Sequence, residues 1–161
     1  MAEEPLEVSI GRRLRERGLT LAVAESCTGG LIGHLITQVP GSSTYFLGGV
    51  IAYANEVKER LLGVRPTTLA EHGAVSPQTA LEMARGVRRA LQADLGLAVT
   101  GIAGPSGGTP HKPVGLVYVA LAAPEGAWVE EHRWQGDRPT NKTLSAHAAL
   151  DLLRRYLEGA L

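Results

Sequence analysis

The segment Ala24-Glu25-Ser26-Cys27-Thr28-Gly29-Gly30 joins two runs of different periodicity. Before it, Leu19 to Ala24 is an apolar run, interrupted only by Thr20, that reads as a buried strand; after it, Leu31 to Val39 carries apolar residues at helical spacing. A strand that turns directly into a helix is the unit from which α/β domains are built. The turn also sets a hydroxyl and a thiol beside a helix N-terminus. There the first N–H groups lack intrahelical partners and carry the positive end of the helix dipole, which suits a phosphate or a developing oxyanion. The chemistry is expected at this turn.

The rest of the chain continues the alternation. Leu6, Ile10 and Leu14 recur at helical spacing between Pro5 and Arg17, and Gly18 follows as a stop. The turn cluster Pro40-Gly41-Ser42-Ser43 precedes a second apolar strand, Gly48 to Tyr53. Asn55 is placed to cap a helix over Glu56 to Leu62, closed by Gly63. Ser76-Pro77 combines a capping side chain with proline at the first helical position, and that helix should run to about Gln92. A strand over Leu97 to Thr100 leads into a long glycine-rich loop, Gly101 to Pro113. Val114 to Ala122 and Ala127 to Trp134 read as an antiparallel pair joined at Pro124-Glu125-Gly126, and an amphipathic helix from about Thr140 to Leu157 closes the chain. Alternating helices and strands followed by a hairpin predict one three-layer α/β/α domain over residues 1–161, with a mixed, partly antiparallel sheet.

Composition narrows the function. At 161 residues and 44% hydrophobic, the chain supports one well-buried core. Sixteen basic residues balance sixteen acidic ones, without the excess of a nucleic-acid or membrane-surface binder, so small metabolites are the expected partners. A single cysteine excludes an internal disulfide, no apolar stretch approaches the length of a membrane span, and the start MAEEPLE lacks a signal peptide's layout. A cytoplasmic protein is expected. Nucleotide signatures of the G-x-x-x-x-G-K-[ST] and G-x-G-x-x-G types are absent, as is the G-x-S-x-G elbow. The five histidines lack paired metal-ligand spacing, so no metal and no cofactor is expected.

Candidate residues follow from chemistry and placement. The chain has 13 arginines but only three lysines, Lys58, Lys112 and Lys142. A partly buried lysine can give up its proton near neutral pH whereas arginine cannot, so a catalytic base is one role arginine could not take over. Ser26 is the preferred nucleophile over Cys27, although serine also caps helices routinely and free cysteine often packs as a small hydrophobe. Thr28, Gly29 and Gly30 frame the turn, and backbone N–H groups around Cys27 to Gly30 or in the glycine-rich loop are expected to hold an oxyanion. Lys58, about one turn into the helix after Asn55, sits where the dipole lowers a cation's pKa, and Tyr53 ends the preceding strand, where its phenol could orient the lysine or substrate for catalysis, although a half-buried packing tyrosine is the default. In the long loop, Thr100, Gly101, Gly104 and Gly107 suit close approach to a ligand, and Lys112 is a phosphate candidate. Arg138, in Gly136-Asp137-Arg138, and Lys142 one turn later supply two more cations. His111 and Glu25 read as loop and structural residues.

Taken in order, AESCTGG, GGVIAYANEVK, LLGV, HGAVS, TGIAGPSGGTP, KPVG and GDR resemble the CinA C-terminal domain family over nearly the whole chain. The resemblance is to the stand-alone form, since the N-terminal half of full-length members is not in this sequence. It implies hydrolysis of the carboxamide of nicotinamide mononucleotide to nicotinate mononucleotide and ammonia. It further implies Ser26 as nucleophile, Lys58 as base, a pocket lined by Tyr53, Thr100 and the loop from Gly101 to Gly108, and a homodimer. The family commonly carries a second arginine one turn after GDR, where this chain has Lys142, which keeps the charge but not the planar fork. The alternative from a different class is a catalytically silent nucleotide-binding or regulatory module.

Overall fold

Strand β1 (Leu21–Glu25) is buried at every position because its alternate side chains feed two separate cores. In the computed structural model, which describes residues 3–161, Leu21 and Val23 enter one cluster with Ile10, Ile32 and Leu153. Ala22 and Ala24 enter the other, with Leu62, Met83 and Val87. The first cluster is covered by α1 (Leu6–Arg17), α2 (Leu31–Thr37) and α6 (Arg138–Leu157), and the second by α3 (Asn55–Leu62), α4 (Pro66–His72) and α5 (Pro77–Ala90). Strands β2 (Phe46–Ile51), β3 (Leu95–Gly101), β4 (Leu116–Ala123) and β5 (Gly126–Arg133) complete the sheet in the order β2-β1-β3-β4-β5. β1 lies parallel to β2 and β3, whereas β4 and β5 are antiparallel additions. The expected three-layer mixed architecture is present.

The α5 face is built for close approach. The sheet offers it alanines, Ala22, Ala98, Ala120 and Ala122. A Cβ at Gly86 would stand 1.8 Å from the Leu62 carbonyl oxygen, and one at Gly96 would stand 2.2 Å from that of Ala84. Backbone therefore packs on backbone with no space for a methyl group.

Two local expectations are corrected. Asn55 does not cap α3: Ala54 holds the cap position in extended conformation, and Asn55 is the first helical residue with no side-chain capping bond. Helix α4 was not anticipated, although Pro66 stands at its first turn, where a missing N–H has no consequence. By contrast Ser76 accepts from the Thr79 N–H at 3.1 Å, as its capping role requires. No helix among the described residues is long and apolar enough to cross a membrane.

The crossover from β1 to β2 runs through α2 on one face, and that from β2 to β3 runs through α3, α4 and α5 on the other. Chain direction across the sheet thus reverses between β1 and β3. The crevice outside their carboxyl ends is the switch point where open α/β sheets place their ligands. Ser26 follows β1 into that crevice.

Candidate active site

Ser26 remains tied to the sheet, its N–H donating to the Val99 carbonyl at 3.1 Å, before the chain turns through Gly29 (φ +59°) and Gly30 (φ +108°). Side chains rarely adopt these left-handed conformations, so glycine is required. Gly30, as the cap residue of α2, has no side chain with which to satisfy the helix start. The Glu25 carboxylate does so instead. It accepts from Thr28 Oγ1 at 2.6 Å and from the N–H groups of Gly30, Ile32 and Gly33 at 3.3, 2.9 and 3.0 Å. Glu25 is only 2% exposed.

The donors around Cys27 to Gly30 are thereby narrowed. Glu25 takes the Gly30 N–H, and the Gly29 N–H donates to the Ser26 carbonyl. Among the described residues, the N–H groups of Cys27 and Thr28 have no acceptor. They are the donors left at the turn beside Ser26.

Lys58 reaches the turn from α3. Its Nζ lies 3.2 Å from Ser26 Oγ, 2.8 Å from the Ala52 carbonyl oxygen and 3.2 Å from that of Tyr53. The side chain is 1% exposed and pairs with no carboxylate among the described residues, so it is not a solvated surface lysine. Burial pushes its pKa below the ordinary lysine value, the neighbouring Cys27 opposing that shift. Desolvation is the first cause of the shift. Nζ donates to Ser26 Oγ and to both carbonyls; in its neutral form the amine could keep the two carbonyl bonds and turn its lone pair to Ser26. Cys27 packs in the α1/α2/α6 core, and burial pushes its thiol up to about 12. At neutral pH it is a thiol, a poor nucleophile.

Arg138 closes the outer side. Its Nη1 donates to the Gly104 carbonyl at 2.7 Å and its Nη2 to the Tyr53 hydroxyl at 3.2 Å, so it joins the glycine-rich loop to the segment after β2, a strand that ends at Ile51 rather than at Tyr53 as expected. Tyr53 is 64% exposed while its carbonyl accepts from Lys58. Arg138 and Lys142 line a cleft of about 310 Å³ with Thr28 and Leu31. Lys142 Nζ comes within 3.8 Å of the place a Cβ on Gly29 would occupy.

Other predicted residues lie in different settings. Thr100 is buried and donates from Oγ1 to the Ala74 carbonyl at 2.8 Å, which commits its proton to holding the loop after α4. Lys112 donates to the His72 carbonyl and fastens the tip of the glycine-rich loop to α4, away from the cation pair of α6. Gly101 is a packing glycine, since a Cβ there would stand 2.5 Å from Val117 Cγ2. Gly104 (φ +84°) presents its carbonyl to Arg138, and Gly107 (φ +93°) is exposed at the loop tip.

Sequence reasoning undervalued Glu25 and missed Asn141. The signal for Glu25 was a carboxylate ending an all-apolar strand, which needs buried partners. Asn141 is 1% exposed; its Nδ2 donates to the Ala103 and Gly136 carbonyls at 3.1 and 2.9 Å, and its Oδ1 accepts from the Gly136 N–H at 3.0 Å. It locks the glycine-rich loop to the start of α6. No local pattern announces it.

Fold and site together define a three-layer α/β domain with a buried serine and lysine in contact at its switch point. The chain belongs to the CinA C-terminal domain family, which it matches over residues 3–157. It is 55% identical over 157 residues to a competence-damage inducible protein of Caldanaerobacter subterraneus, a match covering 98% of this chain. It is 56% identical over 155 residues, 96% of the chain, to a CinA-like protein of Geobacter sulfurreducens. The chain spans 38% of the length of each of these relatives. Among solved structures it is similar to the competence/damage inducible protein CihA of Agrobacterium tumefaciens. That match has TM-score 0.88 and 40% identity, and covers 98% of this chain and 99% of that one. A CinA superfamily protein of Klebsiella pneumoniae superimposes with TM-score 0.92 at 32% identity, covering 96% of both chains.

Proposed function

We propose that this chain is a serine-lysine amidohydrolase that converts nicotinamide mononucleotide to nicotinate mononucleotide and ammonia. The single observation that carries the reading is the buried Lys58 Nζ, 3.2 Å from Ser26 Oγ, with carbonyls on its other N–H directions. In this mechanism neutral Lys58 accepts the Ser26 hydroxyl proton as Oγ bonds to the carboxamide carbon. The oxyanion receives the N–H groups of Cys27 and Thr28. Collapse breaks the C–N bond, and ammonia leaves with the proton returned from Lys58. Water then attacks the acyl-serine with Lys58 again as base, releasing the carboxylate and restoring the serine.

Arg138 and Lys142 are assigned to the 5′-phosphate, supported by their shared cleft with Thr28 beside the turn. A homodimer belongs to the same proposal; the edge strand β2 leaves Leu47 and Ile51 exposed for a second copy.

The test is release of ammonia and nicotinate mononucleotide by the wild-type chain and by Ser26→Ala. Release by the wild type alone supports the reading. Thermal stabilisation of both proteins by the nucleotide without turnover in either replaces it with the silent binding module.

A further inference from the structure

We propose that the chain carries a second anion-binding site, at the end of the sheet opposite Ser26, which takes a small molecule bearing a polyphosphate group. Strand β3 runs from this end, beginning at Leu95, towards the candidate active site at Gly101. The cleft lies between the last turns of α5 and the β4–β5 hairpin and measures about 700 Å³, within the range of ligand-sized pockets. One wall carries Arg85, Arg88 and Arg89, and the facing wall is Ala122, Ala123 and Pro124.

The pairing of arginines across the molecule singles out this wall. Arg12, Arg13, Arg60, Arg65, Arg133, Arg154 and Arg155 each pair with a carboxylate. Arg15 and Arg17 instead lie over the rings of Tyr45 and Tyr156, and Arg138 belongs to the candidate active site. The remaining three of the 13 share this one cleft.

Cations are favoured at a helix C-terminus by the dipole, but that alone does not explain the absence of partners. At the corresponding turn of α6, Arg154 and Arg155 are paired with Asp151, Glu158 and Glu130. In the α5 cleft, Arg88 Nε donates to the Asp94 carbonyl at 2.7 Å and Arg89 Nη2 to that of Leu62 at 3.5 Å. Among the described residues Arg85 bonds to nothing. The only carboxylate on the cleft wall, Glu125, accepts from the Tyr156 hydroxyl. The Arg85 guanidinium and the Nη groups of Arg88 therefore have no partner among the described residues, while the Arg89 head group lies at the end of α3 beside Leu62 and Gly63; the free donors on this wall suit bidentate recognition of phosphate oxygens. Their concave setting, in a chain of zero net charge, favours a compact polyanion over an extended nucleic acid.

The probe is inorganic tripolyphosphate, titrated calorimetrically into the full chain at an ionic strength of about 50 mM, where screening is modest. In Arg138→Ala/Lys142→Ala, which removes the cations assigned to the 5′-phosphate, one-to-one binding is expected to persist, and adding Arg85→Glu/Arg89→Glu should weaken it about tenfold or more. If charge reversal disturbs folding, Arg85→Gln/Arg89→Gln and amide shift mapping on the wild type decide the matter. Shifts confined to residues 85–93 and 122–126 support the site. The proposal fails if no binding occurs, or if affinity is already lost in the Arg138/Lys142 variant. It also fails if a single-stranded oligonucleotide binds this face and tripolyphosphate does not.

Discussion

Arg138 donates to the Tyr53 hydroxyl at 3.2 Å across 85 positions of sequence, and its other Nη atom holds the Gly104 carbonyl at 2.7 Å. One guanidinium thus connects three separate segments around the candidate active site. Removing it loosens the loop and, on the proposed function, takes away a hydrogen-bond donor to the 5′-phosphate. For Arg138→Ala, KM for nicotinamide mononucleotide should rise about tenfold or more, while activity on the phosphate-free riboside changes by less than about threefold. Tyr53→Phe removes only an exposed bond and should leave the melting temperature unchanged. Steady-state kinetics on the two substrates check the contrast.

Lys58 must lose its proton before it can accept one from Ser26. Burial lowers its pKa, so kcat/KM should rise with pH and level off below the ordinary lysine range. Lys58→Arg, which cannot deprotonate, and Ser26→Ala should each reduce kcat at least about a thousandfold. A pH–rate profile without a basic limb argues against lysine as the base.

The same group carries a stability signature. A lysine whose folded pKa lies below its unfolded value binds fewer protons when folded, so the folded state is disfavoured at low pH. That penalty is fully present below the folded pKa, fades as pH rises above it, and is gone beyond the unfolded value. Lys58→Met should therefore gain stability relative to wild type at neutral pH, and the gain should shrink towards pH 10 and above. Urea unfolding at a series of pH values measures it.

Glu25 satisfies three backbone donors and the Thr28 hydroxyl with one buried carboxylate. In Glu25→Gln an amide nitrogen must face donors, leaving groups unmatched, and a loss of about 1–3 kcal/mol is expected. Because Glu25 shapes the turn that carries Ser26, kcat should fall with stability. Chemical denaturation and turnover, measured on one preparation, test both effects.

Gly86 has no space for a side chain, its hypothetical Cβ standing 1.8 Å from the Leu62 carbonyl oxygen. Gly86→Ala should destabilise the fold by about 2 kcal/mol or more, even though alanine is the better helix former by about 1 kcal/mol. A melting temperature equal to or above wild type would contradict the close packing of α5.

Much of the fold was legible in local pattern. The apolar strand, the double-glycine turn and the helix after it follow from periodicity and backbone preference, as do the Gly18 and Gly63 stops and the Ser76 cap. Both glycines are left-handed caps in the structure. Short α4 and the start of α3 were harder to read, because a helix of 7 residues shows little periodicity and a cap can form without a side chain. At the site, Ser26 and Lys58 were each ambiguous alone, since a serine caps and a lysine solvates far more often than either reacts.

Sequence by itself determined which segments become strands and helices, and which residues bring reactive groups to their ends, because these depend on interactions within a few positions. Tertiary structure decided what those groups are. Only the tertiary placement of α3, packed on α5, buries Lys58 and brings its amine to Ser26, and only the seating of α2 on β1 turns Glu25 from a strand-end charge into the cap of that helix. The same packing assigned the Thr100 hydroxyl to Ala74, Lys112 to His72 and Arg138 to Tyr53. Those contacts join residues 26 to 85 positions apart, and burial and partner choice at such separations are properties of the whole folded chain rather than of any local segment.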